Sequence, residues 1–196
     1  DDWFGPRFDH PTRGWVCGVT GLLVRDVQQK LLCGEPGVPA MHGSGLIPRD
    51  RFIDKPSLAR GVTDAFDTIQ VEHRINGVVD GVSVARFKSY EQGRTKFQGE
   101  SIHWGWCDEE PDEDVYSEIV TRTTATGGII YMTFTPLLGR SKVVARFLDE
   151  QSPDRHVTTA ALATLSRSEQ DQVDEVLSKL FADGATLGGS WFENLV

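Results

Sequence analysis

The chain has 196 residues, enough for one domain with a sizeable core. Hydrophobic residues make up 39% and charged residues 25%, an ordinary globular balance, and no apolar run reaches the roughly 18 residues of a membrane-crossing helix. A net charge of −9 excludes a general polyanion binder, so any contact with nucleic acid has to be local. The three cysteines (Cys17, Cys33, Cys107) form no CxxC, sit among apolar neighbours and read as small buried hydrophobes. The histidines are scattered, with no HxxxH or HExxH, so no zinc site is expected.

Taken in chain order, GWVCGVT (14–20) is a short apolar run bounded by glycine and predicts a buried strand. Thr20 is placed to cap a helix over 22–33, where Leu23, Val27 and Leu31 recur at helical spacing and Gly34 and Pro36 end it. Residues 34–50 are rich in Gly and Pro and read as a loop. Phe66, Ile69, Val71 and Ile75 alternate roughly, Asn76-Gly77 makes a turn, and a second strand over 81–90 completes an antiparallel hairpin. Residues 91–101 are a polar connection. SIHWGWCD (101–108) predicts a buried strand that stops abruptly in acids. Pro111 and the acids after it start a helix that runs to about Ala125, with Val115, Ile119 and Val120 on its apolar stripe. Gly127-Gly128 breaks it. IIYMTFT (129–135) is another apolar strand, and a helix follows over 141–150. Beyond that, a short strand at HVT (156–158), an amphipathic helix over 166–181 and a linker over 184–191 are expected. Fully apolar strands alternating with helices predict an α/β fold, a mostly parallel sheet flanked by helices, with the hairpin as an antiparallel addition at one edge.

Three features carry chemistry. WGWCDEE (104–110) brings Asp108, Glu109 and Glu110 to the tip of a buried strand, at the sheet edge where ligands bind in open α/β folds. In ATPases of the additional-strand class this is the Walker B pattern: the Asp anchors the Mg²⁺ water shell and the following Glu polarises the attacking water. Neighbouring residues on a strand point to opposite faces, so Asp108 and Glu109 must diverge. On these residues alone, DEEPDED reads equally well as the acidic N-terminus of a helix. TFTPLLG (133–139), at the end of the next strand, offers Thr133 and Thr135 to a phosphate or a water; an ordinary strand-to-loop turn looks the same. FKSYEQGRTKFQG (87–99) combines Lys88, Arg94 and Lys96 with aromatics, either for a phosphate contact or an arginine finger reaching a neighbouring subunit's nucleotide, or as a solvated basic loop. The phosphate-loop pattern GxxxxGK[ST] is absent from these 196 residues.

FKSYEQGR..FQG, then a strand ending in DEEP, then GGII.MTFTPL.G together resemble the ATPase domain of tailed-bacteriophage terminase large subunits, the motors that pack DNA into capsids. WV.GVT....RDV.Q.KLL and GSGLIPRD fit the same region, and the resemblance covers roughly residues 12–150. It implies a P-loop NTPase-like core of the additional-strand class, with ATP and Mg²⁺ as cofactors. Asp108 is then the Mg²⁺ ligand, through water, and Glu109 the catalytic carboxylate, with Glu110 the less favoured occupant of that role. Thr133, Thr135 and Pro136 match the coupling motif that senses nucleotide state. Arg94 is the candidate arginine finger reaching a neighbouring subunit, although many relatives carry an Arg directly before the glycine where this chain has Gln98-Gly99. Implied partners are double-stranded DNA, the terminase small subunit and the portal protein, in a homo-oligomeric ring at the procapsid portal in the host bacterial cytoplasm. The resemblance divides the chain into a partial ATPase domain (1–158) and a helical and linker segment (159–196) leading toward a nuclease domain. The family's phosphate loop is expected before residue 1 and its nuclease acids beyond residue 196, so weak or no ATPase activity is expected of these residues alone. A helicase-like DExx ATPase fragment and a non-catalytic truncated remnant are the competing readings.

Overall fold

The computed structural model describes residues 8–135 and 141–148. Six strands form one sheet in the order β2-β3-β4-β1-β5-β6. They are β1 (Arg13–Gly18), β2 (Ser57–Leu58), β3 (Phe66–Ile75), β4 (Val78–Ser89), β5 (Trp104–Asp108) and β6 (Ile129–Thr133). β1 pairs in parallel with β4 and β5, and β5 in parallel with β6; β3 is antiparallel to both of its neighbours, β2 and β4. The expected α/β sheet with an antiparallel addition is therefore what forms.

The parallel half reads as apolar runs because both its faces are covered. Five of the six β1 residues are buried. Trp15 and Cys17 point into a cluster with Tyr90, Phe97, Ile102, Cys107, Val115 and Ile119. Val16 points the other way, into a cluster with Val24, Cys33, Ile69, Ala85, Phe87 and Trp106. This is the alternation a strand imposes, with a helix supplying the far wall on each side. On the first face the wall is α3 (Glu113–Thr124), which begins behind Pro111 and Asp112 with Glu113 and Asp114 in its first turn, as acids at a positive helix end should be. Gly14 allows a close approach: a Cβ there would lie 1.9 Å from the Trp104 ring.

The other face is covered by a helical segment that departs from the sequence expectation. It starts with α1 (Gly21–Leu23), capped by Thr20 Oγ1, which accepts from Leu23 N at 3.2 Å as expected. It then loosens into a π-helical stretch, Val24–Gln29, and closes as α2 (Lys30–Cys33). The apolar stripe Leu23, Val27 and Leu31 faces outward; Val24, Gln28, Gln29 and Cys33 are the buried residues. The wider π turn shifts the phase of the helix, so a 3.6-residue period selects the wrong face. Gln29 is accommodated by bonding the chain on both sides: its amide donates to Asp64 O at 2.8 Å and its Oε1 accepts from Phe66 N at 2.7 Å.

The hairpin forms as expected. Asn76 and Gly77 have φ of 51° and 83°, the paired left-handed conformations of a two-residue hairpin turn, and Ile75 pairs with Val78. The sheet lies within a compact unit, Gly5–Phe134; Thr135 and α4 (Lys142–Leu148) belong to a second. In α4, Ser141 Oγ accepts from Val144 N at 3.1 Å, an N-cap that confirms the expected helix start. Pro136, the strand expected at 156–158, the helix expected over 166–181 and the linker over 184–191 lie outside the described residues.

Candidate functional site

Because β4, β1, β5 and β6 run parallel, their carboxyl ends meet along one edge. Ser89 pairs with Gly18 and Asp108 with Thr133. The acids and the hydroxyl that the sequence places at two strand tips are thus direct neighbours. Thr133 Oγ1 donates to Asp108 Oδ1 at 2.6 Å and accepts from Trp106 Nε1 at 2.9 Å. The indole has only a proton to give, so the threonine hydroxyl must turn its own proton to the carboxylate. The second carboxylate oxygen, Oδ2, accepts from the Gln28 amide at 2.5 Å.

The chain leaves β5 through a tight bend. Glu109 N still donates to Thr133 O at 2.7 Å, but Glu109 itself takes φ of 60°. This left-handed conformation is uncommon for a residue with a Cβ and turns the exposed Glu109 side chain away from the strand pattern. The alternation expected of two adjacent strand residues therefore does not govern Glu109, which lies just beyond the last strand residue, Asp108. The bend is tied from below by Tyr90, whose hydroxyl approaches the carbonyl oxygens of Asp108 at 3.2 Å and Glu109 at 3.1 Å. Burial pushes the Tyr90 phenol far up, so it remains a donor at any working pH. Glu110 is half-buried behind the bend.

Arg94 does not stand free. Its Nε donates to Glu118 Oε2 at 2.9 Å, and Arg122 binds Glu118 Oε1 through two nitrogens. Glu118 is 3% exposed, while the Arg94 side chain is 55% exposed. The hydrogen bond from Arg94 holds the Glu118 carboxyl below the usual range, against a burial effect that raises it, with Arg122 adding to the lowering. Lys88 is likewise engaged: its ammonium lies 4.7 Å from the Trp15 ring centroid, 5.5 Å from that of Phe97, and donates to Lys96 O at 2.6 Å. Burial lowers its pKa. Lys88 lies at the end of β4 and is partly buried, whereas Arg94 and Lys96, on the connection after it, are both exposed. The three cysteines are free and buried; burial raises the Cys17 thiol, with a hydrogen bond to Cys107 adding to it, and pushes Cys33 up to about 12.

The structure thus brings together Asp108, Glu109 and Thr133. It places Arg94 on the neighbouring connection and leaves Thr135 at the start of the second unit. Gln28, Trp106 and Glu118 were not expected at the site. No signal in the sequence marks Gln28, because the same helical stretch also carries Arg25, Asp26 and Lys30. The donors at the strand tips are all oxygen, and Asp108 is within reach of solvent. Among the described residues no group of three or more His, Cys, Asp or Glu gathers to hold a metal. The oxygen atoms of Asp108 and Thr133 are of the kind Mg²⁺ takes, an ion that keeps most of its water and binds through one or two carboxylates.

Residues 53–183 match the family described as terminase large subunit, T4likevirus-type, N-terminal. The chain is 34% identical to the terminase large subunit of Salmonella phage P22 over 179 residues, 90% of this chain and 36% of that protein. It is 25% identical to the terminase large subunit of Enterobacteria phage LP7 over 163 residues, 83% of this chain and 34% of that protein. It spans about a third of the length of each. The solved ATPase domain of the large terminase of Thermus phage P74-26 aligns with a TM-score of 0.48 at 16% identity, over 76% of this chain and 60% of that one.

Proposed function

The chain belongs to the terminase large subunit family, and from that premise we propose that it is the central part of an ATP-driven motor that translocates double-stranded DNA into procapsids. The observation that carries this reading is the pairing of Asp108 with Thr133 across two parallel strand tips, with Glu109 turned out beside them. In this reading Asp108 holds Mg²⁺ through its water shell. The ion neutralises charge on the nucleotide phosphates when bound. Glu109 is the base that orients the attacking water, and Glu110 is the reserve candidate. Thr133 and Thr135 lie on the segment that responds to nucleotide state.

Arg94 is proposed as the cation offered to a neighbouring subunit's nucleotide. Glu118 is then its resting partner: a phosphate has to displace that carboxylate, and Arg122 stays behind to neutralise it. The working assembly is proposed to be a ring acting with a small subunit and a portal, in the host cytoplasm.

The test is ATP hydrolysis, with and without double-stranded DNA, by a whole large subunit carrying this segment. Glu109→Gln is expected to abolish turnover while keeping Mg-ATP binding; turnover at the original rate removes Glu109 from the base role. A second reading is a non-catalytic remnant of such a protein. Calorimetric Mg-ATP titration of the 196-residue chain is expected to be silent under either reading. A whole subunit that hydrolyses no ATP selects the remnant.

A further inference from the structure

Among the described residues, Oε1 of Gln28 is the buried side-chain polar atom without a hydrogen-bond partner. The residue is 1% exposed. Its amide nitrogen donates to Asp108 Oδ2 at 2.5 Å. An ionised carboxylate only accepts, so the nitrogen has to face Asp108 and the oxygen is stranded beside it. Leaving an acceptor buried and unpaired costs free energy that a Met or Leu would avoid.

The backbone departs from the α-helix to make this arrangement. The π-helical stretch Val24–Gln29 turns Gln28 and Gln29 inward together, and such stretches recur at functional sites. Both halves of the Gln29 amide are bonded to the chain, so Gln29 has a structural role. Half of the Gln28 amide has none. At the end of β1, Gly18 leaves room for it: a Cβ there would lie 3.0 Å from Gln28 Nε2 and 3.3 Å from Oε1.

We propose that Gln28 is a positioning residue of the divalent-cation site, holding Asp108 in the orientation that accepts a cation's water shell and offering its orphan oxygen to a water that arrives with the cation. The inference rests on the reading of Asp108 as the cation anchor. With Thr133 on Oδ1 and Gln28 on Oδ2, both oxygens of Asp108 are tied and the carboxylate cannot swing. Such outer partners orient a ligand, and their loss typically weakens metal binding about 10–100-fold.

The experiment titrates Mn²⁺ into the 196-residue chain, reads free Mn²⁺ by electron paramagnetic resonance, and follows melting in EDTA and in Mn²⁺. Gln28→Met is expected to bind Mn²⁺ about 10–100-fold more weakly than the original. It should nevertheless melt in EDTA at or above the original temperature, because the orphan acceptor is gone. A purely structural glutamine gives the reverse, a lower melting temperature in EDTA with the Mn²⁺-induced rise intact, and that overturns the proposal. Unchanged Mn²⁺ affinity in Gln28→Met also overturns it, while loss of Mn²⁺ in Asp108→Asn leaves the anchor reading standing. Equal binding by the original and Asp108→Asn, or none by the original, overturns both. If Gln28→Met does not fold, Gly18→Ala carries the test, since it crowds the amide and leaves the carboxylate in place. Weakened Mn²⁺ binding there supports the proposal and unchanged binding overturns it.

Discussion

β1 and β5 are buried along most of their length, between helical elements, and β5 ends in Asp108, which is bonded by Thr133 at the tip of β6 and by Gln28 of the helical segment. β3, apart from the buried Ile69, and the first half of β4 are at least partly exposed, carry ion pairs such as Glu72 with Arg74, and end in the Asn76-Gly77 turn. One sheet therefore holds two kinds of strand. In the parallel half the side chains do the packing and the strand tips are left for chemistry. In the hairpin the backbone ladder and the turn do most of the work. Substitutions with the same chemistry should have different consequences in the two halves.

The largest contrast is expected in the core. Trp15 is fully buried, stacks edge-on against Phe97 with centroids 5.7 Å apart and donates to Glu100 at 3.2 Å. Trp15→Ala should lower the unfolding free energy by about 3–5 kcal/mol in urea denaturation. Val79, at the hairpin end and 47% exposed, should change it by no more than about 0.5 kcal/mol when replaced by Ala. Equal losses would mean that the hairpin belongs to the same cooperative core and would erase the distinction.

The same comparison holds for charges. Glu118 is buried between Arg94 and Arg122, whereas Glu72 pairs with Arg74 on the partly exposed hairpin. Glu118→Gln should cost about 1.5–3 kcal/mol, the range for hydrogen bonds to charged groups. Glu72→Gln should cost less than about 1 kcal/mol. The pH dependence sharpens this. The folded-state pKa of Glu118 is lowered, first by Arg94, so its stabilisation is present above the unfolded value and is lost as pH falls through the folded one. Stability of the original chain should therefore decline below the ordinary carboxylate range, and Glu118→Gln should flatten that decline. An unchanged pH profile would show that the two arginines lean on Glu118 without depending on it.

β1, β3, β4 and β6, the hairpin turn and the acid-tipped β5 were legible in the sequence, because apolar runs, Asn-Gly and DEEP each report a local requirement; the two-residue, exposed β2 has no such run and was not expected. The buried face of the helical segment was not. Leu23, Val27 and Leu31 obey the α-helical period, yet the π stretch at Val24–Gln29 turns them outward and brings two glutamines in. Periodicity assumes the repeat it is meant to detect, so a local change of repeat is invisible to it. Asp108 and Thr133 were both expected at strand tips, but their direct bond depends on register, which pairs residues 25 positions apart in the chain. Arg94 looked like a free cation because its partner, Glu118, lies 24 residues away on α3.

The smallest expected effect compares two left-handed residues. Asn76 has φ of 51° in the hairpin turn and Glu109 φ of 60° at the tip of β5. Asparagine tolerates this region, and the turn type calls for it, so Asn76→Gly should leave stability nearly unchanged. Glutamate gains nothing there locally, and a strained backbone at a reactive position is held only by its surroundings: Tyr90 on the carbonyls and Thr133 O on the amide. Glu109→Gly should therefore raise the unfolding free energy by about 0.5–1 kcal/mol, the left-handed penalty less the added chain entropy of glycine. It should at the same time remove the turnover proposed for the whole subunit, so stability and activity would move in opposite directions. A loss of stability in Glu109→Gly instead would mean that the glutamate side chain, and not its backbone geometry, is what the bend requires.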